Sequence, residues 1–222
     1  DVSVFTQLPS YWCWGACFPM VFAYFNFQIS QCQIAQQVPW LDRLRNFALP
    51  RMRELVQATW QSCHIGVEDN RHIVIIETLP APGNWGLMLR PGAVVGLTNT
   101  STGCVLAAFR PIEDAEDLFE NHVPALGEVK ADKSEFLDRI AAIRERGFEV
   151  TPSDTTEGVT NMAFPVFDIS ETAIAVVSCP YLKRLDGLNT LSQTDVETRF
   201  SEFAATRSDF CRGKGSEDGW AV

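Results

Sequence analysis

The sequence is short of basic residues. Its 222 residues include 18 Lys and Arg against 28 Asp and Glu, which gives a formal net charge of −10. Many of the basic residues are interleaved with acidic ones, as in Arg144-Glu145-Arg146. Because proteins bind the phosphate backbone of nucleic acids through clustered Lys and Arg, this composition argues against nucleic-acid binding by the chain alone.

Paired metal ligands are also missing. The seven cysteines are irregularly spaced, and the close pair Cys13 and Cys17 has no second pair or histidine cluster to complete a zinc site. The cysteines fit small apolar core residues in a reducing compartment. We therefore expect no metal, no cofactor and a cytoplasmic location.

Signals of export and of membrane insertion are absent as well. No positive charge precedes an apolar core at the start of the chain, as a signal peptide requires. The apolar run 11–27 is shorter than the roughly 20 residues of a membrane helix, and Gly15, Pro19 and Asn26 interrupt it. We expect this run to be buried against another domain or another copy of the chain. Because the chain does not begin with Met, we also expect a preceding N-terminal portion.

Hydrolytic motifs are lacking too. The sequence has no Gly-x-Ser-x-Gly elbow and no glycine-rich phosphate loop. Cys63 and His64 are adjacent on a predicted strand, so their side chains point to opposite faces and cannot pair as nucleophile and base. His72 lies by a predicted hairpin turn, where we expect it to be exposed. These features predict a protein that is not an enzyme.

What the chain does contain is a series of hairpins and helices. Hydrophobic periodicity and turn residues predict a helix, three strands, three helices, three strands and a final helix. The helical segment 18–47 is expected to break near Pro39, and a new helix is expected to start near Pro50. The third strand is predicted at 87–89. Since the strands come in hairpins, we predict an α+β fold with an antiparallel sheet.

Helix ends are marked by local signals. Two helices are predicted to begin with capping boxes, at Asp132 with Glu135 and at Thr194 with Glu197. Gly147 supplies the left-handed residue that ends the first of these helices.

Polar residues at two places suggest a small-molecule pocket. Residues 136–178 combine a helix, a polar loop and an apolar hairpin, which is a common construction for such a pocket. Within the hairpin, the Asn161 amide needs a partner, either backbone or ligand. Ser101 and Thr102 open a predicted helix, where their hydroxyls either cap the exposed N–H groups or help to bind an anion. Both interpretations stay open at this stage.

Five blocks of sequence, taken together, resemble the effector-binding domain of IclR-type bacterial transcription regulators. They are MRELVQAT (52–59), HIGVEDNRHIVIIET (64–78), RPGAVVGLTNTSTGCVLAAF (90–109), LDRIAAIRERGFEV (137–150) and EGVTNMAFPVFD (157–168). The likeness covers about 48–206. It implies a curved antiparallel sheet flanked by helices, similar to GAF and profilin-like folds. It also implies a domain that senses a small organic acid or aromatic compound and alters operator binding by a fused winged helix-turn-helix.

The resemblance also implies a division of the chain. Residues 1–15 resemble the end of a wing, 16–47 match the linker and dimerisation helix, 48–210 form the effector-binding domain, and 211–222 form a flexible tail. The winged-helix body would then lie outside this chain, in agreement with its acidic composition. The implied partners are a small-molecule effector, operator DNA through that winged helix, and further copies of the chain in a dimer or tetramer. No membrane partner is implied.

Effector contacts carry over from the family by position. They are Ser101, Thr102, Thr151, Asp154, Asn161, Val176 and Ser178. Three positions depart from the family pattern, because Thr98 stands where His is frequent, Cys104 where Lys is frequent, and Thr151 where an acidic residue is common. Asp154 is the nearest substitute for that acid.

Two other functions stay open beside a ligand sensor. The chain could be a stand-alone binding module with no operator, or an enzyme that has recruited the same pocket.

Overall fold

The computed structural model describes residues 31–83, 86–129, 131–167, 172–185 and 191–205. The chain divides into two units, with the boundary between Leu49 and Pro50. The expected wing remnant, the apolar run 11–27 and the expected tail lie outside the described residues, and the domain boundaries stay a prediction.

The first described element is one helix, α1, which spans Gln31–Thr59. It continues through Pro39 and Pro50, so the expected break and the expected new start were both wrong. A proline removes one main-chain hydrogen bond and bends a helix, but neighbouring bonds can carry the helix past it. In the unit that begins at Pro50, α1 buries Met52, Leu55 and Val56 at helical spacing.

A curled, six-stranded antiparallel sheet forms the centre of the second unit. Its strands in chain order are β1 Cys63–Asp69, β2 His72–Leu79, β3 Val94–Val95, β4 Glu149–Pro152, β5 Thr160–Phe167 and β6 Ala173–Tyr181. Their order across the sheet is β3-β2-β1-β6-β5-β4. The α+β prediction is confirmed, and so is the predicted order of helices and strands along the chain.

Four further helices complete the described fold. They are α2 Ser101–Ala108, α3 Ile112–Asn121, α4 Lys133–Arg146 and α5 Gln193–Ala205. Every residue of α2 is buried, in a core that includes residues of α3, α4 and one sheet face. On the opposite sheet face, the Phe164 ring stacks on Phe200 of α5 with centroids 6.0 Å apart. The helices therefore cover both faces of the sheet.

The third strand was predicted at the wrong place. Residues 87–89 are not in a strand, and Met88 and Leu89 are largely exposed. Val94 and Val95 instead pair with Val74 and Ile73 of β2. Apolar composition alone does not select a strand, because the pairing partner decides which segment extends the sheet.

The predicted helix ends are partly correct. Asp132 caps α4, but its carboxylate accepts from Ser134 N, one residue before the expected position. Gly147 ends α4 with φ of +92°, as predicted. At α5 the reciprocal box is formed by Ser192 and Asp195, which exchange backbone and side-chain hydrogen bonds. The predicted box at Thr194 and Glu197 was therefore wrong by two residues.

The hairpin between β1 and β2 closes through Asn70 and Arg71, whose φ values are +49° and +66°. Two consecutive positive φ values match the twist of a two-residue hairpin turn. His72 follows directly and is buried, at 8% exposure, so the expectation that it is exposed was wrong. It already belongs to the strand, where a side chain is packed or solvated according to the face on which it lies.

Candidate functional site

The candidate site lies on the sheet face that α2 covers. Directly opposed residues of an antiparallel pair share a face, so the register identifies its members. Ser178 of β6 is paired with His64 of β1 and Ala163 of β5. In the next row, Asn161 is paired with Pro180 of β6 and Thr151 of β4. The face therefore carries a patch of small polar side chains that comes from four strands.

The first turn of α2 touches this face directly. Thr102 Oγ1 lies 2.9 Å from Ser178 Oγ, and both side chains are buried. The two elements approach so closely at Gly66 of β1 that a Cβ atom there would lie 2.4 Å from Thr102 Cγ2. Gly66 is thus the residue that permits the helix to rest against the strand. The contact therefore joins the start of α2 to β6.

Two hydroxyls near these contacts are buried without a hydrogen-bond partner among the described residues. They belong to Ser101, which is 3% exposed, and to Thr78, which is 7% exposed. Thr78 is paired with His64 and so shares the face described above. Burial lowers the pKa of His64 to about 4. The imidazole is therefore neutral near neutral pH and offers one donor and one acceptor.

The amide groups at the start of α2 are only partly capped. Thr100 is the N-cap, and its hydroxyl accepts a hydrogen bond from Gly103 N. In the described chain, no acceptor is found for the N–H groups of Ser101 and Thr102. Such first-turn N–H groups, together with the helix dipole, attract electronegative ligand atoms.

Arg139 of α4 lies at the β4 edge of this face, where four of the five N–H donors of its guanidinium group make hydrogen bonds. Its Nε and Nη2 donate to the Glu149 carboxylate at 2.7 and 3.1 Å, and its Nη1 donates to Thr98 O and Asp154 Oδ2 at 3.3 Å each. The Arg139–Glu149 pair is mostly buried. This arginine therefore fixes the helix–strand contact, and its strong pairing with Glu149 makes a structural role the main one.

The structure places the seven family-derived candidates in three settings. Ser101, Thr102 and Ser178 lie together at the α2 contact, and Thr151 and Asn161 lie half-buried in the adjoining row. Val176 is fully buried in the hydrophobic core, two residues before Ser178 on β6. Asp154 lies at the surface in its ion pair with Arg139.

Two residues on this face, His64 and Thr78, were not among the sequence-derived candidates. Only the strand pairing brings His64 beside Ser178 and Thr78 beside His64. Strand pairing leaves no local signal in the sequence.

A shallow groove adjoins the polar face at Pro180. Trp60, Gln61, Leu87 and Arg184 are among its other lining residues. The Gln61 side chain is held by two hydrogen bonds with the backbone of Leu182, at 3.0 and 3.1 Å. Pro180 therefore belongs to both the groove and the row that contains Asn161.

The described residues provide neither a group of metal ligands nor a membrane-spanning helix. Within the described ranges, no three His, Cys, Asp or Glu side chains are grouped so that they could hold a metal ion. Among the helices of the same residues, none has the length and apolar character needed to cross a membrane.

Comparison with known proteins assigns the family. The model of the bacterial transcriptional regulator IclR C-terminal domain matches residues 41–190, which is more than half of the chain. The chain belongs to the IclR family. Its matched residues form a C-terminal effector-binding domain of the IclR type.

Relatives in the IclR family include named regulators. The chain is 27% identical over 154 residues to the glycerol operon regulatory protein of Streptomyces griseus, covering 68% of this chain and 61% of that protein. It is 27% identical over 133 residues to the HTH-type transcriptional regulator KdgR of Escherichia coli, covering 59% and 51%. The chain thus spans about half to three-fifths of the length of these IclR-family relatives.

Solved structures share the IclR-type fold. An IclR homologue from Microbacterium hydrocarbonoxydans in complex with 4-hydroxybenzoate matches with a TM-score of 0.62 at 21% identity, over 78% of this chain and 69% of that one. The C-terminal domain of E. coli KdgR matches with a TM-score of 0.56 at 26% identity, over 77% and 94%.

Proposed function

We propose that this chain is the sensory part of a cytoplasmic IclR-type regulator. It binds a small organic acid or aromatic effector between the start of α2 and the facing strands. Binding is relayed to a winged helix-turn-helix that contacts operator DNA and is not contained in this chain. The chain acts as a dimer or tetramer, and the segment 16–47 serves as the linker and dimer contact.

The two buried, unpartnered hydroxyls are the observation that carries this proposal. Leaving a buried hydroxyl without a partner costs roughly 1–3 kcal/mol. Ser101 and Thr78 both lack a partner in the described structure. Ser101 directly precedes Thr102, which contacts Ser178, and Thr78 is paired with neutral His64, the strand neighbour of Ser178. A ligand that hydrogen-bonds to these groups recovers that cost, so the arrangement favours an occupied site.

The chemistry of the surroundings supports the ligand class. The first-turn N–H groups of α2 suit a carboxylate or phenolate oxygen, because the helix dipole favours negative charge there. The groove at Pro180 adds the Trp60 ring, which suits a planar apolar body. The neighbouring IclR homologue was solved with 4-hydroxybenzoate, which has both features.

The relay is proposed as a population shift. An effector that bridges α2 and the sheet stabilises one arrangement of the paired domains over another, by no more than its difference in affinity for the two. The winged helices attached to those domains then change their spacing on the operator.

Isothermal titration calorimetry of the purified chain tests the proposal, with 4-hydroxybenzoate, benzoate, pyruvate, gluconate and glycerol as probes. For a probe that binds, the Ser101→Ala variant should bind about five- to tenfold more weakly, because one hydrogen bond is lost. The same variant should leave the ligand-free protein as stable as the parent or more so, since an unpartnered hydroxyl is removed. Thr198→Val, which removes an exposed hydroxyl from α5, is the matched control and should change neither value.

Other outcomes favour the two alternatives. Chemical turnover of a bound probe would support the recruited enzyme. The absence of a winged-helix sequence from the intact reading frame would support the stand-alone module. If a probe binds the parent chain and the Ser101→Ala variant with equal affinity, the probe lies elsewhere and the proposed site is wrong.

A further inference from the structure

An irregularity in the sheet turns Thr78 toward the candidate site. Gly66 of β1 is paired with Ile75 of β2, and a regular continuation of that register would pair Cys63 with Thr78. The observed partner of Thr78 is instead His64, because a β-bulge lies between these pairs. A register shift of one residue moves a side chain to the other face of the sheet. The bulge therefore places Thr78 on the face that α2 covers.

The hydroxyl of Thr78 is left without a partner on that face. The residue is 7% exposed, and its Oγ1 makes no hydrogen bond in the described structure, not even with the ring of the paired His64. Its main-chain N–H is engaged separately, because it donates to Glu77 Oε1 at 3.2 Å. β-Bulges occur preferentially beside active sites, where they re-aim a side chain. A bulge that turns a hydroxyl into a buried place without an acceptor or donor fits a binding role better than a purely structural one.

His64, the partner of Thr78, is an uncharged neighbour. Burial alone lowers its pKa to about 4, with no contribution from a charged side chain among the described residues. The ring is neutral near neutral pH and offers one donor and one acceptor. Arg139 lies at the β4 edge, three strands away from β1, and Glu77 next to Thr78 adds an acid and not a cation. This end of the face therefore suits a hydroxyl or carbonyl group, whereas a carboxylate buried here would lack a cation.

The other end of the site suits negative charge. The main-chain N–H groups of Ser101 and Thr102 have no acceptor in the described chain, and the Ser101 hydroxyl is buried without a partner. The positive end of the α2 dipole lies at the same place. Because Thr102 Oγ1 is 2.9 Å from Ser178 Oγ, this end of the site lies over β6.

The two ends are two strand spacings apart. Ser178 is paired with His64, and His64 is paired with Thr78, so β6, β1 and β2 carry the three residues in one row. With neighbouring strands about 4.8 Å apart, Ser178 and Thr78 are separated by about 10 Å. A hydrogen bond of about 3 Å at one or both ends leaves about 4–7 Å between the polar groups of a ligand. Polar groups at the para positions of a benzene ring have a separation of this size.

We propose that Thr78 is a specificity-determining residue of the effector site, which selects a monocarboxylate with an uncharged hydroxyl or carbonyl group at its far end. The carboxylate binds at the first turn of α2, and the uncharged group binds between Thr78 and His64. The inference rests on the proposed function, because it concerns the ligand class of the same site. Aromatic acids without the second group, and dicarboxylates, are then weaker ligands.

Calorimetry with three matched probes tests this selection. The probes are 4-hydroxybenzoate, benzoate, which lacks the hydroxyl, and terephthalate, which carries a second carboxylate in its place. The parent chain should bind 4-hydroxybenzoate about tenfold more tightly than benzoate, because one more group is hydrogen-bonded. It should bind terephthalate at least about tenfold more weakly than 4-hydroxybenzoate, because the second carboxylate is buried without a cation.

Variants assign the selection to one hydroxyl. Thr78→Val keeps the shape of the side chain and should weaken binding of 4-hydroxybenzoate about tenfold, while the affinity for benzoate stays unchanged. Thr198→Val, which removes an exposed hydroxyl from α5, should change neither affinity.

Urea unfolding without ligand tests the same hydroxyl. Because Thr78 Oγ1 has no partner in the described structure, Thr78→Val should leave the urea midpoint unchanged or raise it. Thr59→Val is the contrasting variant, because it removes a buried hydroxyl that donates to Leu55 O at 2.7 Å, and it should lower the midpoint.

The results separate this inference from the proposed function. If Ser101→Ala weakens binding of 4-hydroxybenzoate and Thr78→Val does not, the effector site stands and selection by Thr78 is wrong. A midpoint that falls as far for Thr78→Val as for Thr59→Val shows that the hydroxyl is bound within the fold, which also overturns the inference. If none of the three probes binds the parent chain, the inferred ligand class is wrong, and the titrations with pyruvate, gluconate and glycerol still decide on the proposed function.

Discussion

Substitution of Gly66 by Ala tests most sharply how closely α2 rests on the sheet. The new Cβ atom would lie 2.4 Å from Thr102 Cγ2, while its next neighbours, Ile75 Cδ1 and Thr102 Cβ, lie at 3.5 and 3.8 Å. One methyl group therefore accounts for the clash. Overpacking of this kind costs about 1–3 kcal/mol, which for a domain of this size lowers the melting temperature by about 2–10 °C.

The clash can be relieved without losing the hydrogen bond to Ser178. Thr102→Ser removes Cγ2 and keeps the hydroxyl that lies 2.9 Å from Ser178 Oγ. In a double-mutant cycle followed by urea unfolding, Thr102→Ser should restore most of the stability that Gly66→Ala removes, with a coupling of about 1–2 kcal/mol. Gly86→Ala is the control, because its Cβ would meet Ala81 Cβ at an ordinary 3.4 Å.

Additivity would refute this reasoning. If Gly66→Ala destabilises the protein equally in the parent chain and in the Thr102→Ser variant, the methyl contact is not the cause, and α2 does not rest on β1 as described.

Three further predictions concern buried ionisable groups. Arg139→Met leaves the Glu149 carboxylate buried without its partner, so it should lower the free energy of unfolding by about 3 kcal/mol. Arg146→Met breaks an exposed ion pair and should lower the same quantity by less than about 1 kcal/mol. If urea unfolding gives equal losses for the two variants, the buried pair is not the stronger one. Burial lowers the pKa of His64 to about 4, so as the pH falls the unfolded state takes up the imidazole proton before the folded state does. The free energy of unfolding should therefore decrease between about pH 6.5 and pH 4. If the His64→Gln variant loses stability with the same slope over this range, His64 is not the cause. Burial raises the pKa of the Cys63 thiol to about 12, so iodoacetamide should label Cys63 only at the rate of unfolding. Rapid labelling of Cys63 itself in the native protein, located by peptide mass spectrometry, would contradict its burial.

The order of elements was predictable because each leaves a local signal. Gly147 takes the left-handed φ that its position after an amphipathic helix predicts, and Asn70 takes a positive φ in the predicted hairpin turn. The errors occur where two local signals compete. Ser192 with Asp195 and Thr194 with Glu197 have the same spacing, and only the first pair forms the box. Similarly, residues 87–89 and 94–95 are both apolar, and only the pairing with β2 selects the second.

The residues alone pointed to two polar places, at Ser101–Thr102 and at Asn161, and the grouping of these places with Ser178 into one site was predictable only through the family resemblance. Thr102, Ser178 and Asn161 are far apart in sequence, and nothing local to any of them indicates that they share a face. Strand register brings them together, and register depends on contacts between distant segments. For the same reason the sequence did not single out His64 or Thr78. Nor did it show that Asp154 would be engaged by Arg139, since that pairing depends on where α4 lies.

The most direct test of the central claim is a crystal structure of the chain with whichever probe binds in calorimetry. We expect density for the probe within hydrogen-bonding distance of Ser101 and of the strand row that carries Asn161. Density at any other place, with the Ser101 and Thr78 hydroxyls still unpartnered, would contradict it.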